Sequence, residues 1–128
     1  MILVDTSIWI DFFQHPDSSY TVKLENLIKD NNSAVICGII LQETLQGIKD
    51  NKSYELAKDR LLKLPFINTD KEIYLSASYL YRKLRNKGIT IPSIDVTIAS
   101  IAALKKIPLF TKDKHFKIIT RYSDLKIY

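Results

Sequence analysis

Two short runs, Ile2-Leu3-Val4 and Ala34-Val35-Ile36-Cys37, are apolar at every position. A strand with one wet face alternates apolar and polar residues, whereas a strand covered on both faces does not. Uninterrupted apolar runs this short therefore predict strands of a parallel sheet. Phe66-Ile67 and Leu109-Phe110-Thr111 read as two more. The stretches between them carry apolar residues at helical spacing, as in Ile73, Ala77, Leu80 and Leu84. They predict helices over about Ser7–Phe13, Tyr20–Lys29, Gly38–Ile48, Tyr54–Lys63, Lys71–Asn86 and Ser93–Lys105. Asp30-Asn31-Asn32-Ser33 and Asp50-Asn51-Lys52-Ser53 read as turns, and Lys112–Phe116 as a loop. Alternating strands and helices mean βαβ units with right-handed crossovers. The expected fold is an α/β three-layer sandwich on a mostly parallel sheet of four to five strands. The fifth would be an edge strand from the tail, Lys117–Tyr128. A chain of 128 residues reads as a single domain, 1–128.

The content of 46% hydrophobic and 26% charged residues is ordinary for a folded domain and argues against disorder. Lys and Arg number 19 against 14 acidic residues, a formal charge of +5. That modest excess is compatible with a polyanionic partner without requiring one. Cys37 is the sole cysteine, so no intrachain disulfide can form, and its apolar setting reads as core rather than nucleophile. No run approaches the ~18 apolar residues of a membrane helix, and the N-terminus lacks a basic leader. No membrane association is expected, and the expected compartment is the cytoplasm.

Four carboxylates fall at related places in this scheme. Asp5 follows the first strand, Glu43 lies in the helix after the second, Asp95 in the first turn of the sixth helix, and Asp113 after the fourth strand. In a parallel sheet the strand carboxyl ends and the following helix starts share one edge, where ligands bind. Each residue also has a purely structural reading. Asp5 could cap the first helix, Glu43 could face solvent, Asp95 could complement a helix dipole, and Asp113 could be a turn residue. Together they would repel and raise one another's pKa unless a cation neutralised them. Hard carboxylate oxygens suit Mg²⁺ or Mn²⁺, and there is no His/Cys cluster for zinc. His115 stands two residues from Asp113, which alone is weak ground for a catalytic role. Asp11 reads as structural or as a partner contact, and Trp9, Phe12 and Phe13 as core or interface. Tyr54, Tyr74, Tyr79 and Tyr81 read as half-buried core, with an interface as the alternative.

Val4-Asp5-Thr6-Ser7 with Trp9-Ile10-Asp11 resembles the opening of PIN domains. Glu43, Ser93-Ile94-Asp95 and Phe110-Thr111-Lys112-Asp113-Lys114-His115-Phe116 follow in the same order. Over essentially the whole chain the pattern is most similar to the small VapC-type toxins of toxin–antitoxin pairs. The resemblance implies a metal-dependent endoribonuclease whose acidic quartet is Asp5, Glu43, Asp95 and Asp113, with Mg²⁺ or Mn²⁺ as cofactor. Asp5 and Asp95 would be the principal ligands. Glu43 would assist through water or a hydrogen bond, and Asp113 would complete the site or hold a second ion. Thr6, Ser7 and Thr111 match the family's polar neighbours. An acidic centre repels RNA, so basic residues must surround it. Arg82, Lys83, Arg85, Lys87, Lys112 and Lys114 are the candidates for phosphate contacts. The implied partners are an RNA substrate, a cognate antitoxin protein and a second copy in a homodimer. The competing reading is a catalytically silent PIN-like module that binds RNA or protein. Phosphatase and receiver patterns fit poorly: Ser7 stands where a dehalogenase-type phosphatase would need a second Asp, and no Gly-rich nucleotide loop is present.

Overall fold

The computed structural model describes residues 1–30 and 33–128. Asn31 and Asn32, within one predicted turn, lie outside the described residues. Strands β1 (Ile2–Val4), β2 (Ala34–Cys37), β3 (Phe66–Ile67) and β4 (Leu109–Phe110) form a parallel sheet in the order β3-β2-β1-β4. Leu3 sits opposite Val35 on one side and Leu109 on the other, and Cys37 opposite Ile67. Every residue of β2 is at most 1% exposed, so both faces of the sheet are covered, as the lack of alternation predicted.

The helices are α1 (Thr6–Gln14), α2 (Ser19–Lys29), α3 (Gly38–Gln46), α4 (Asn51–Leu61), α5 (Lys71–Asn86), α6 (Ser93–Lys105) and α7 (His115–Ile119). The predicted α/β fold with a parallel sheet stands, and the departures are local. Asp50 to Ser53 is not a free turn: the Asp50 carboxylate accepts from the Ser53 amide at 2.8 Å and starts α4 three residues before the expected Tyr54. The expected 112–116 loop ends in helix α7, whose Phe116 and Ile119 are fully buried. Because α7 and the turn after it use up the chain, the expected fifth strand shrinks to one parallel bridge, Leu109 to Ile127. There the Leu109 amide donates to the Lys126 carbonyl at 2.9 Å, and the Tyr128 amide donates to the Leu109 carbonyl at 2.9 Å.

Helix α6 carries Asp95, and α5 packs along α6. After α5 the chain reverses at Gly88, whose φ of +77° is left-handed. The Ile89 amide reaches the Leu84 carbonyl and the Gly88 amide the Arg85 carbonyl, both at 2.9 Å, which is the paired bonding that closes a helix before a glycine. The α6 residues Ile98, Ala99, Ile101 and Ala102 are fully buried, and these small and branched side chains fix the axis along which Asp95 projects from the first turn.

One core hydroxyl is orphaned. Thr44 on α3 is 3% exposed, and its Oγ1 has no hydrogen-bond partner among the described residues. Thr44→Val keeps the branched shape and removes the unsatisfied group. It is expected to stabilise the fold by about 1 kcal/mol, read as a higher midpoint in urea at unchanged slope.

Candidate metal and active site

Asp5 takes the capping role that the sequence left open. It is the N-cap of α1, where its carboxylate accepts from the Ser7 amide at 3.4 Å. The same oxygen, Oδ2, accepts from Ser7 Oγ and from Thr111 Oγ1, each at 2.8 Å. The residue is 4% exposed. Burial pushes its carboxyl above the ordinary range, against the pull of these hydrogen bonds.

Glu43, half-buried on α3, does not turn to solvent. Its Oε1 accepts from Thr6 Oγ1 at 3.0 Å. Burial raises its pKa first, and the negative charges of Asp5 and Asp95 add to the rise, so the three carboxylates share one field.

Asp95 and Asp113 meet at a histidine. His115 Nδ1 lies 2.9 Å from Asp95 Oδ2 and 3.4 Å from Asp113 Oδ1. The ligating atoms of Asp95, Asp113 and His115 all fall within 4.8 Å of one another. Asp113 Oδ1 also accepts from the His115 amide at 3.0 Å, which starts α7, and the Asp113 amide donates to Thr111 Oγ1 at 3.0 Å. Thr111 thus links Asp5 to the Asp113 loop. The hydrogen bond that His115 donates to Asp95, with the field of Asp113, holds its imidazole above the usual pKa.

His115 is the residue that the sequence reading undervalued. Its neighbour Asp113 was visible, but the orientation of its ring depends on α7, a helix too short to show an apolar period.

The predicted basic residues divide. Lys112 is not a free cation: its ammonium pairs with Asp11, whose side chain is only 6% exposed and also accepts from Ser18 Oγ at 2.9 Å. The expectation that Asp11 is structural therefore fits its surroundings. Lys83 donates to the Tyr122 carbonyl at 3.0 Å, on the side of α5 that faces the tail, and Lys87 lines the groove there. Arg82 and Arg85 line a groove with Ser93 and Thr97, beside the start of α6 that carries Asp95. Lys114 is exposed immediately before α7.

The aromatic residues divide as well. Trp9 is 1% exposed and packs with Phe12 and Phe13, while Tyr54 and Tyr81 lie against the core. Tyr74 and Tyr79 are 49% and 73% exposed, which corrects their reading as half-buried core. Their α5 stripe is complete without them, through Ile73, Ala77, Leu80 and Leu84.

The donor set fits a divalent cation. Burial raises the pKa of Asp5 and Glu43, Glu43 also feels the charges of Asp5 and Asp95, and Asp113 lies beside Asp95, so the site carries negative charge that the surrounding hydroxyls offset only in part. Oxygen donors of this kind suit hard cations. Among the described residues no helix is long and apolar enough to cross a membrane.

A sequence model of the PIN domain matches residues 2–122. Ribonuclease VapC1 of Methanocaldococcus jannaschii is 34% identical over 128 residues, covering 99% of this chain and 86% of that protein. Ribonuclease VapC11 of Mycobacterium tuberculosis is 30% identical over 129 residues, covering 98% of this chain and 96% of its own length. Among solved structures, VapBC2 from Rickettsia felis, bound to a DNA fragment from its promoter, superposes with a TM-score of 0.80 at 28% identity. That match covers 100% of this chain and 98% of the other.

Proposed function

Because the chain belongs to the PIN-domain family, we infer that it is a ribonuclease of the VapC type, the toxin of a toxin–antitoxin pair, and that Asp5, Glu43, Asp95 and Asp113 are its working carboxylates. The observation that carries the assignment of residues is their linkage. Thr111 ties Asp5 to the Asp113 loop, His115 bridges Asp113 and Asp95, and the charges of Asp5 and Asp95 act on Glu43.

Asp95, Asp113 and Asp5 would hold Mg²⁺ or Mn²⁺, which when bound supplies Lewis-acid stabilisation of phosphoryl charge and a more acidic water. The chain's own contribution is to fix the donors. Ser7 and Thr111 hold Asp5 in one orientation, and the His115 amide holds Asp113. Glu43, with its pKa raised and one oxygen steadied by Thr6, is suited to take up or release a proton beside the scissile phosphodiester. Arg82, Arg85 and Lys114 are the available phosphate contacts beside an acidic centre that would otherwise repel RNA. The cognate antitoxin would cover this site, the active unit would be a homodimer, and the compartment would be the cytoplasm where the RNA is.

The test is cleavage of a tRNA, rRNA and mRNA panel by antitoxin-free protein in Mg²⁺, in Mn²⁺ and in EDTA. Cuts that need the metal and vanish with Asp95→Asn are expected. Cleavage that persists in EDTA would overturn metal dependence. A folded protein that neither cuts nor binds metal would favour the silent module.

A further inference from the structure

The His115 ring stands at the centre of a cluster of unlike charge. Its Nδ1 faces Asp95 Oδ2 at 2.9 Å and Asp113 Oδ1 at 3.4 Å. A ring nitrogen facing two carboxylate oxygens is held there either by its own N–H proton or by a metal ion. Neighbouring ligands around a six-coordinate ion with bonds of about 2.0–2.2 Å sit roughly 3 Å apart, the edge of an octahedron. The 2.9 Å separation matches that edge, the 3.4 Å one is slightly longer, and all three ligand atoms lie within 4.8 Å of one another. The ring is also held in place: its backbone amide is bonded to Asp113, and the adjacent Phe116 is fully buried. Its side chain is 44% exposed, so the cluster opens to solvent on one side and an ion can enter.

We propose that His115 is itself a metal ligand, that Asp95, Asp113 and His115 form a two-oxygen, one-nitrogen set, and that this nitrogen biases the site toward Mn²⁺ over Mg²⁺. The proposal rests on the reading of this cluster as a metal centre. Imidazole is a softer donor than carboxylate and suits transition ions, while Mg²⁺ favours a shell of oxygens. An Asp at position 115 would give an all-oxygen set, and His115 makes this one mixed.

The test strips the full chain with EDTA and titrates it with Mn²⁺, then with Mg²⁺, by calorimetry and electron paramagnetic resonance. The variants are His115→Gln, His115→Asp and Asp95→Asn. Mn²⁺-loaded wild type is expected to show the nitrogen coupling of a directly bound imidazole, and His115→Gln to lack it. The Mn²⁺ Kd should rise by about 10–100-fold in His115→Gln, with the Mg²⁺ Kd changing by less than ~3-fold. His115→Asp should bind both ions and lose the preference for Mn²⁺. No nitrogen coupling in the wild type, or equal Mn²⁺ affinity in His115→Gln, would overturn the ligand assignment and leave His115 as a counter-ion. Asp95→Asn separates the two failures. If it too binds Mn²⁺ as tightly as the wild type, the metal-centre reading itself is lost. If it loses binding while His115→Gln keeps it, only the role of His115 is lost.

Discussion

Asp5→Asn is expected to slow RNA cleavage by more than ~100-fold, beyond what removing a supporting partner costs, while leaving the melting temperature at or above that of the wild type. The first half follows if Asp5 works on the metal. The second follows from its burial. A carboxylate raised by desolvation makes the folded state less stable once it ionises. The penalty is absent below the unfolded-state pKa, where Asp5 is protonated in both states. It grows as pH rises and is complete above the folded-state pKa. The amide of Asn can still accept from Ser7 and Thr111, so the cap survives without the charge. In EDTA at pH 7 the variant should therefore melt no lower than the wild type, and the gap between them should narrow in acid. Adding Mg²⁺ should raise the wild-type melting temperature by more than that of the variant, because an ion that binds only the folded site stabilises it by mass action and the variant has lost one oxygen donor. Single-turnover cleavage and thermal melts with and without metal decide this. A variant that melts several degrees lower in EDTA would make Asp5 a structural cap first.

That prediction was partly readable from the chain. Asp5 was visible because the apolar run before it marked a buried strand and Thr6-Ser7 after it marked a helix start. Glu43 was visible because a lone carboxylate one helical turn after Ile39 and Ile40 contradicts the apolar stripe around it. Tertiary contacts were not visible. That Thr111 would bond Asp5 across a separation of 106 residues follows from the β1–β4 pairing, and no local pattern encodes which strands are neighbours. Helix α7 was missed because five residues give barely more than one turn, too few for a period. With it went the orientation of His115 and the shortening of the tail strand. Asp50 was misread for a related reason: Asp-Asn-x-Ser serves equally as a turn or as a cap with the first turn of α4, and packing of Ala57 and Leu61 decides for the helix.

Lys112→Met tests the other residue whose role the structure changed. As a phosphate contact, Lys112 would affect RNA binding and its salt dependence, lowering the salt slope by about 1 with no change in stability. As the partner of buried Asp11 it should do the opposite. Loss of a hydrogen bond to a buried charge costs about 1.5–3 kcal/mol, and the half-exposed lysine places the effect toward the lower end. The pH dependence gives a second signature. The Lys112 hydrogen bond holds Asp11 below the ordinary carboxylate range, so the stabilisation is present above the unfolded-state pKa of about 3.9 and is lost as pH falls through the lower folded-state value. The gap between wild type and variant should be full at pH 7 and close in strong acid. Asp11→Asn combined with Lys112→Met should recover part of the loss, since a pair removed together leaves no buried charge unpaired. Lys112 lies between Thr111 and Asp113, so loosening it also frees the loop that positions Asp113 and His115. Turnover should fall by about 10–100-fold under conditions where the variant is fully folded, the usual cost of a lost supporting contact at a metal site. Denaturant melts at pH 7 and in acid, with cleavage assayed at two salt concentrations, separate the two roles. An unchanged melt with a shallower salt slope would return Lys112 to the RNA surface.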